Sequence, residues 1–258
     1  MCLILLAIES HPRFPLVIAA NRDEFHDRPS LPAAFWHENE QVWGGRDLRS
    51  GGSWLAVTRA GRLAMVTNVR EGIRETRGYS RGELVRRFAL SDLDPADWLG
   101  ERRAEAGDYP GFNLIVGVCV GDLCYWSNRG RVTPERILPG VHGLSNGRLD
   151  ASWPKVRRGR DGMARLLSEA EGPDALTDGL LGLMADRTPA ADADLPATGV
   201  PLAWERLLAP MFVRSPEYGT RCSTVLLFET GGLLHLCERR YDPDGETTGE
   251  SRETVCIS

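Results

Sequence analysis

The 258-residue sequence predicts an α+β protein built from antiparallel sheets. Three observations predict it. Strand-like and helix-like segments come in blocks (strands, helices, strands, helices, strands), not in the strict alternation of a parallel, doubly wound sheet. Several neighbouring strand segments are joined by short turns carrying Gly or Pro, the connection of antiparallel hairpins. No repeat and no linker-like stretch divides the chain, so residues 1–258 read as a single domain.

The elements follow in order. Leu3–Ile8 and Leu16–Ala20 are apolar runs separated by His11-Pro12-Arg13-Phe14-Pro15, whose two prolines bar a helix. Asn21-Arg22-Asp23-Glu24 ends the second strand, and the stretch through Pro29 and Pro32 to Gly52 reads as irregular. Ser53–Thr58 and Leu63–Asn68 form a hairpin about Ala60-Gly61. Ser80-Arg81-Gly82-Glu83 has the form of a capping box, with Leu84 and Phe88 on one helical face behind it. Asp94-Pro95 opens a second helix. Phe112–Val120 and Leu123–Ser127 pair through Gly121-Asp122, and Val141–Ser145 is a short strand. Helices over Trp153–Leu167 and Asp174–Met184 come next, then a surface loop over Pro189–Pro201. The closing strands are Thr220–Glu229, Leu233–Cys237 and Thr254–Ile257.

Charge is balanced, with 31 basic and 36 acidic residues, a net charge of −5 and pI ≈ 5.6. No basic stripe marks a nucleic-acid partner. A hydrophobic content of 42% is enough for a core without a metal or disulfide staple. The six cysteines, at positions 2, 119, 124, 222, 237 and 256, contain no Cys-x-x-Cys and read as free thiols of a reducing, cytoplasmic environment. The N-terminal apolar run is too short for a membrane span and lacks the layout of a signal peptide.

Cys2 follows the initiator methionine. Removal of that methionine, usual before so small a residue, exposes a thiol and a free α-amine on one residue. The amine, with a pKa of about 7.7–8.0, can accept the thiol's proton, so one residue serves as nucleophile and base. The alternative is a small buried hydrophobe. Four polar clusters at strand ends offer what such a nucleophile requires. They are Asn21-Arg22-Asp23-Glu24, Thr67-Asn68-Val69-Arg70-Glu71, Leu144-Ser145-Asn146 through Asp150, and Tyr218-Gly219-Thr220-Arg221-Cys222-Ser223. Arg22 or Arg221 would favour the thiolate. Asp23 or Glu24 would hold the amine. Asn68 and Asn146 would donate N–H groups to a developing oxyanion. Arg22 and Asp23 are adjacent, so on a continuous strand they face opposite ways.

These segments, with Gly44-Gly45-Arg46-Asp47, Gly52-Ser53-Trp54-Leu55 and Trp153-Pro154-Lys155-Val156, resemble the NRDE protein family, also called the transport and Golgi organisation 2 family. The resemblance runs from Met1 to about Glu229. That family is similar to the N-terminal nucleophile hydrolases, closest to the cholylglycine hydrolase and penicillin V acylase branch. The resemblance implies a four-layer αββα sandwich of antiparallel sheets. It makes Cys2 the nucleophile, Asn68 and Asn146 the substrate- and oxyanion-binding residues, and Arg221 a guanidinium close to the thiol. The branch separates its early arginine and aspartate by three positions, unlike Arg22 and Asp23 here. The expected activity is cleavage of a linear amide or related acyl bond in a small molecule, without metal or cofactor. The family's link to haem trafficking and lipid or acyl-CoA metabolism implies an alternative, a non-catalytic carrier of haem, for which His11, His26, His37, His142 and His235 are the available imidazoles. A third reading is an interaction module in which Trp36, Trp43 and Trp54 line a groove or, more simply, fill the core.

Overall fold

The computed structural model describes residues 3–72, 78–119, 121–130 and 133–257. β1 (Leu3–Ile8) and β2 (Leu16–Phe25) flank the proline-containing turn, followed by β3 (Ser30–Trp36), β4 (Asn39–Asp47), β5 (Leu55–Thr58) and β6 (Arg62–Asn68). Helices α1 (Arg81–Ala89) and α2 (Pro95–Arg102) precede β7 (Phe112–Val118), β8 (Leu123–Ser127), β9 (Glu135–Arg136) and β10 (Gly140–Leu144). Then come α3 (Pro154–Glu169), α4 (Pro173–Met184), α5 (Leu202–Leu207), β11 (Tyr218–Glu229), β12 (Leu233–Tyr241) and β13 (Thr247–Cys256). The α+β class stands, since every described strand pair is antiparallel.

Several features differ from the sequence reading. The stretch after Pro29 is a strand pair, β3 and β4, not irregular chain. Pro32 is tolerated because β3 is the edge of its sheet, where one flank needs no ladder bonds. β2 runs on through Asn21-Arg22-Asp23-Glu24 to Phe25. The capping box at Ser80 is not made by its side chain; Glu83 N–H bonds the Ser80 carbonyl instead. Asp94 does cap α2, accepting the Ala96 N–H at 2.9 Å. Val120, the expected end of β7, lies outside the described residues.

The chain forms two compact units, one sheet in each. The first holds the residues up to Asp27, Arg70–Gly72 and Pro139–Cys256; the second holds the rest.

In the first unit the strand order is β10-β1-β2-β11-β12-β13. Leu3, Leu5, Ala7, Val17, Ala19, Val225 and Leu227 alternate onto one face and pack against Val156 and Met163 of α3 and Leu176, Leu180 and Met184 of α4. Gly159 lets α3 lie close, for a Cβ there would stand 2.7 Å from a Leu5 methyl. The alternate residues Ile4, Leu6, Ile18, Ala20 and Leu226 are buried on the opposite face. Burial of both faces explains why β1 is a continuous apolar run.

In the second unit the order is β3-β4-β5-β6-β7-β8-β9, with α1 and α2 against one face. An aromatic core joins them. Phe88 meets Trp98 edge-on at 5.3 Å, and Phe112 meets Trp126 at 4.9 Å. Trp36, Trp43 and Trp54 are all buried, the core assignment of the two, and Trp36 Nε1 donates to the Gly44 carbonyl at 3.0 Å.

Candidate active site

β2 is the organising element of the polar residues in the first unit, because the pleat sends its motif to two faces. Asn21 and Asp23 continue the helix-facing series of Val17 and Ala19; Arg22 continues the opposite series of Ile18 and Ala20. Asn21 is fully buried. Its Nδ2 donates to the Met184 carbonyl at 2.8 Å and the Met211 carbonyl at 2.9 Å, and its Oδ1 accepts from Ser223 Oγ at 2.6 Å. It therefore ties the end of α4 and the 211 loop to the sheet. Asp23 Oδ1 accepts from Thr220 Oγ1 at 2.7 Å, and Thr220 in turn accepts the Val213 N–H at 2.9 Å. Arg22 and Asp23 do not share a face, as their adjacency required.

On the opposite face a polar patch interrupts the apolar surface. Arg22 pairs with Cys222 of β11, and Cys222 with Arg240 of β12; Glu238 stands two residues along β12 on the same side. Arg22, Cys222 and Glu238 are buried. The Cys222 thiol hydrogen-bonds the Glu238 carboxyl; burial first, then the negative charge of Glu238, pushes its pKa well above the ordinary thiol value. Burial also pushes Cys119 up to about 12 and Cys237 to about 11. These three thiols are poor nucleophiles at neutral pH.

Arg221 is the extra residue of a β-bulge. The register shifts between Thr220, opposite Asp23, and Cys222, opposite Arg22. The bulge re-aims the Arg221 side chain along the strand end, where Nη1 donates to the carbonyls of Phe25 and His26 at 3.0 and 3.1 Å. Burial and the neighbouring Arg22 charge lower its pKa from the usual guanidinium value. Arg22 and Arg221 are thus two cations at one end of the β2–β11 ladder, the end at which β1 begins: Leu3 is paired with Asn21, one residue from Arg22.

Asn146 follows β10 and is buried. Its backbone carbonyl accepts the Arg70 N–H at 2.8 Å, and its Oδ1 faces Arg70 Nη2 at 3.4 Å and Ser145 Oγ at 3.5 Å. Arg70 forms a buried ion pair with Glu205 of α5, Nη1 to Oε2 at 2.6 Å, and lies over the Trp153 ring at 4.8 Å. The sequence reading offers Asn146 as a candidate and includes Arg70 only within a polar cluster; Glu205, 135 residues from Arg70, carries no local signal.

Asn68 is the last residue of β6, in the second unit, and is exposed. Cys2 and Met1 lie outside the described residues. Four of the five histidines serve local structure: His11 accepts the N–H groups of Arg13 and Phe14, while His26, His142 and His235 meet the Ser215 carbonyl, Asp150 and Glu229. Among the described residues no group of three His, Cys, Asp or Glu side chains converges as a metal site. No described helix is long and apolar enough to cross a membrane.

Comparison with known proteins adds family membership to this geometry. The family model described as transport and Golgi organisation 2 matches residues 1–243. The transport and Golgi organization protein 2 homolog of Bos taurus is 35% identical over 259 residues, covering 93% of this chain and 92% of the relative; the Homo sapiens homolog is 34% identical with the same coverage. Among solved structures, the mutant C2A conjugated bile acid hydrolase from Clostridium perfringens aligns with a TM-score of 0.49 at 7% identity, over 100% of this chain and 92% of that one.

Proposed function

The chain belongs to the transport and Golgi organisation 2 family, and from that premise we propose that it is an N-terminal cysteine hydrolase that cleaves a linear amide or related acyl bond of a small molecule. The observation that carries the reading is the pair of buried or half-buried guanidiniums, Arg22 and Arg221, at the sheet end where β1 starts. Covalent geometry alone keeps the Cα of residue 2 about 3.8 Å from that of Leu3. A fixed positive charge near a thiol lowers its pKa, whereas burial dominates at Cys119, Cys222 and Cys237 and, at Cys222, outweighs the lowering effect of Arg22.

In this reading the Cys2 α-amine takes the thiol proton and the sulfur attacks the acyl carbonyl. Asn146 donates its side-chain N–H to the oxyanion. Collapse of the tetrahedral intermediate breaks the C–N bond, the α-ammonium returns its proton to the leaving amine, and the acyl group stays on sulfur as a thioester. Water then attacks the thioester, with the amine again accepting a proton, and releases the acid and the free thiol. Arg22 and Arg221 supply the electrostatics. Asp23, on the helix-bearing face, accepts the Thr220 hydroxyl and so also ties β2 to β11.

Intact mass of the purified chain, followed by incubation with p-nitrophenyl acyl esters and N-acyl anilides, tests the proposal. The expected results are loss of Met1 and an acyl adduct on the Cys2 peptide that is absent in Cys2→Ala. A retained Met1, or turnover unchanged in Cys2→Ala, would overturn it. The same protein titrated with haem would show a saturable Soret shift under the carrier alternative.

A further inference from the structure

We infer that Arg70, fixed by Glu205, is a positioning residue that sets the orientation of the Asn146 amide, and so gives the oxyanion site its donor. The inference rests on the hydrolase reading above.

An Asn side chain has two ends of nearly equal shape and opposite hydrogen-bonding character. An oxyanion site needs the Nδ2 end, and the wrong rotation about the last side-chain bond would present a repelling oxygen. A guanidinium can only donate, so the end of Asn146 that faces Arg70 must be Oδ1. Ser145 Oγ stands near the same atom. At 3.4 Å the Arg70 contact is long, yet its sign is unambiguous, and it turns Nδ2 to the other side. The backbone is held as well: the Arg70 N–H bonds the Asn146 carbonyl at 2.8 Å, and a Cβ on Gly147 would lie 2.9 Å from the Trp153 ring, so that ring rests on the main chain beside Asn146.

Arg70 is itself held from two sides. Glu205 Oε2 accepts from Nη1 at 2.6 Å, Trp153 lies under the guanidinium, and both side chains of the ion pair are nearly inaccessible, at 6% and 4%. The second oxygen of Glu205 accepts the Thr198 N–H at 3.1 Å and the Thr198 hydroxyl at 2.5 Å. The segment carrying Thr198 also touches the chain beside Arg70, for a Cβ on Gly72 would stand 2.5 Å from the Gly199 carbonyl oxygen. The 198–205 segment therefore straps Arg70, and Arg70 orients Asn146. The forked shape of Arg is required, since one arm meets Glu205 and the other Asn146.

The test compares two reactions at the same sulfur. Acylation by p-nitrophenyl hexanoate passes through an oxyanion; alkylation by iodoacetamide does not. Both rates are read by mass on the Cys2 peptide of the full-length protein, which separates it from the other five cysteines. In Arg70→Met, acylation should fall by about 10-fold or more while alkylation stays within about 2-fold. Arg70→Lys keeps a cation for Glu205 but loses the second arm, and should show the same split if Arg70→Met fails to fold. Equal slowing of both reactions, or no change in their ratio in a folded variant, overturns the positioning role. A wild-type protein that is alkylated but never acylated at Cys2 overturns the hydrolase reading itself, which sets the two failures apart.

Discussion

Arg22 and Cys222 are cross-strand partners on one face of the first sheet, while Asp23, the next residue, bonds Thr220 on the other. The four-residue motif Asn21-Arg22-Asp23-Glu24 is therefore two devices interleaved by the pleat. Its odd members fasten the helices and the 211–213 loop to the sheet. Arg22 contributes charge to a buried patch containing Cys222 and Glu238.

Asn21→Ala should cost about 3 kcal/mol of stability, because it strips the carbonyls of Met184 and Met211 and the Ser223 hydroxyl of a partner inside the protein. Urea denaturation measures it. A loss under about 1 kcal/mol would show that water reaches those carbonyls.

Arg22→Met removes a cation from the sheet end where β1 starts and should raise the midpoint of Cys2 alkylation against pH by about 1 unit. The sign follows from the thiolate being the form a positive charge favours. The iodoacetamide rate at the Cys2 peptide across pH 6–10 (a range of roughly two units either side of the ordinary thiol value) reads it, and an unmoved midpoint refutes an electrostatic role for Arg22.

Asp150 illustrates a different pH effect. Burial alone would raise its pKa, but the hydrogen bonds from His142 and the Gly143 N–H, with the His142 and Arg160 charges, outweigh burial and hold it below the ordinary carboxylate value. A lowered folded pKa means the stabilisation is complete above the unfolded value near 3.9 and fades as pH falls through the lower folded value. Asp150 has φ of 57°, a conformation Asn also tolerates, so Asp150→Asn isolates the charge. Urea midpoints of the wild type should fall more steeply than those of Asp150→Asn as pH drops below about 4. Parallel curves would exclude the linkage.

In the second unit, Gly52→Ala should destabilise by about 1–3 kcal/mol. The added methyl would stand 2.5 Å from the Gly82 carbonyl carbon and 2.9 Å from the Glu83 nitrogen, which are main-chain atoms at the start of α1. Thermal denaturation beside Gly51→Ala controls for loop entropy; the two separate space from conformation, since Gly51 has open space but φ of 70°.

The hairpins β5–β6, β7–β8 and β11–β12 were legible because apolar runs and turn residues agreed. β3 and β4 were not: Pro32 and the glycines at 44 and 45 mimic a loop, and only the edge position of β3 makes its proline acceptable. The early part of β13 was hidden by its polarity, as half-exposed edge strands carry no apolar alternation. α5 has six residues, too few for periodicity to register. For the site, parity on a continuous strand predicted that Arg22 and Asp23 would part, and Asn146 was a candidate through its motif. Glu205 was invisible because nothing near it in sequence announces a cation 135 residues away.

The alternation along β2 has a consequence for how this chain tolerates length changes. Between Leu16 and Asn21, one inserted or deleted residue would put the carboxamide of Asn21 where Arg22 belongs and aim the guanidinium at the ends of α4, trading every inward group for its neighbour. Viable indels in that interval must come in twos, an evenness rule that a library of single-codon insertions and deletions would expose directly.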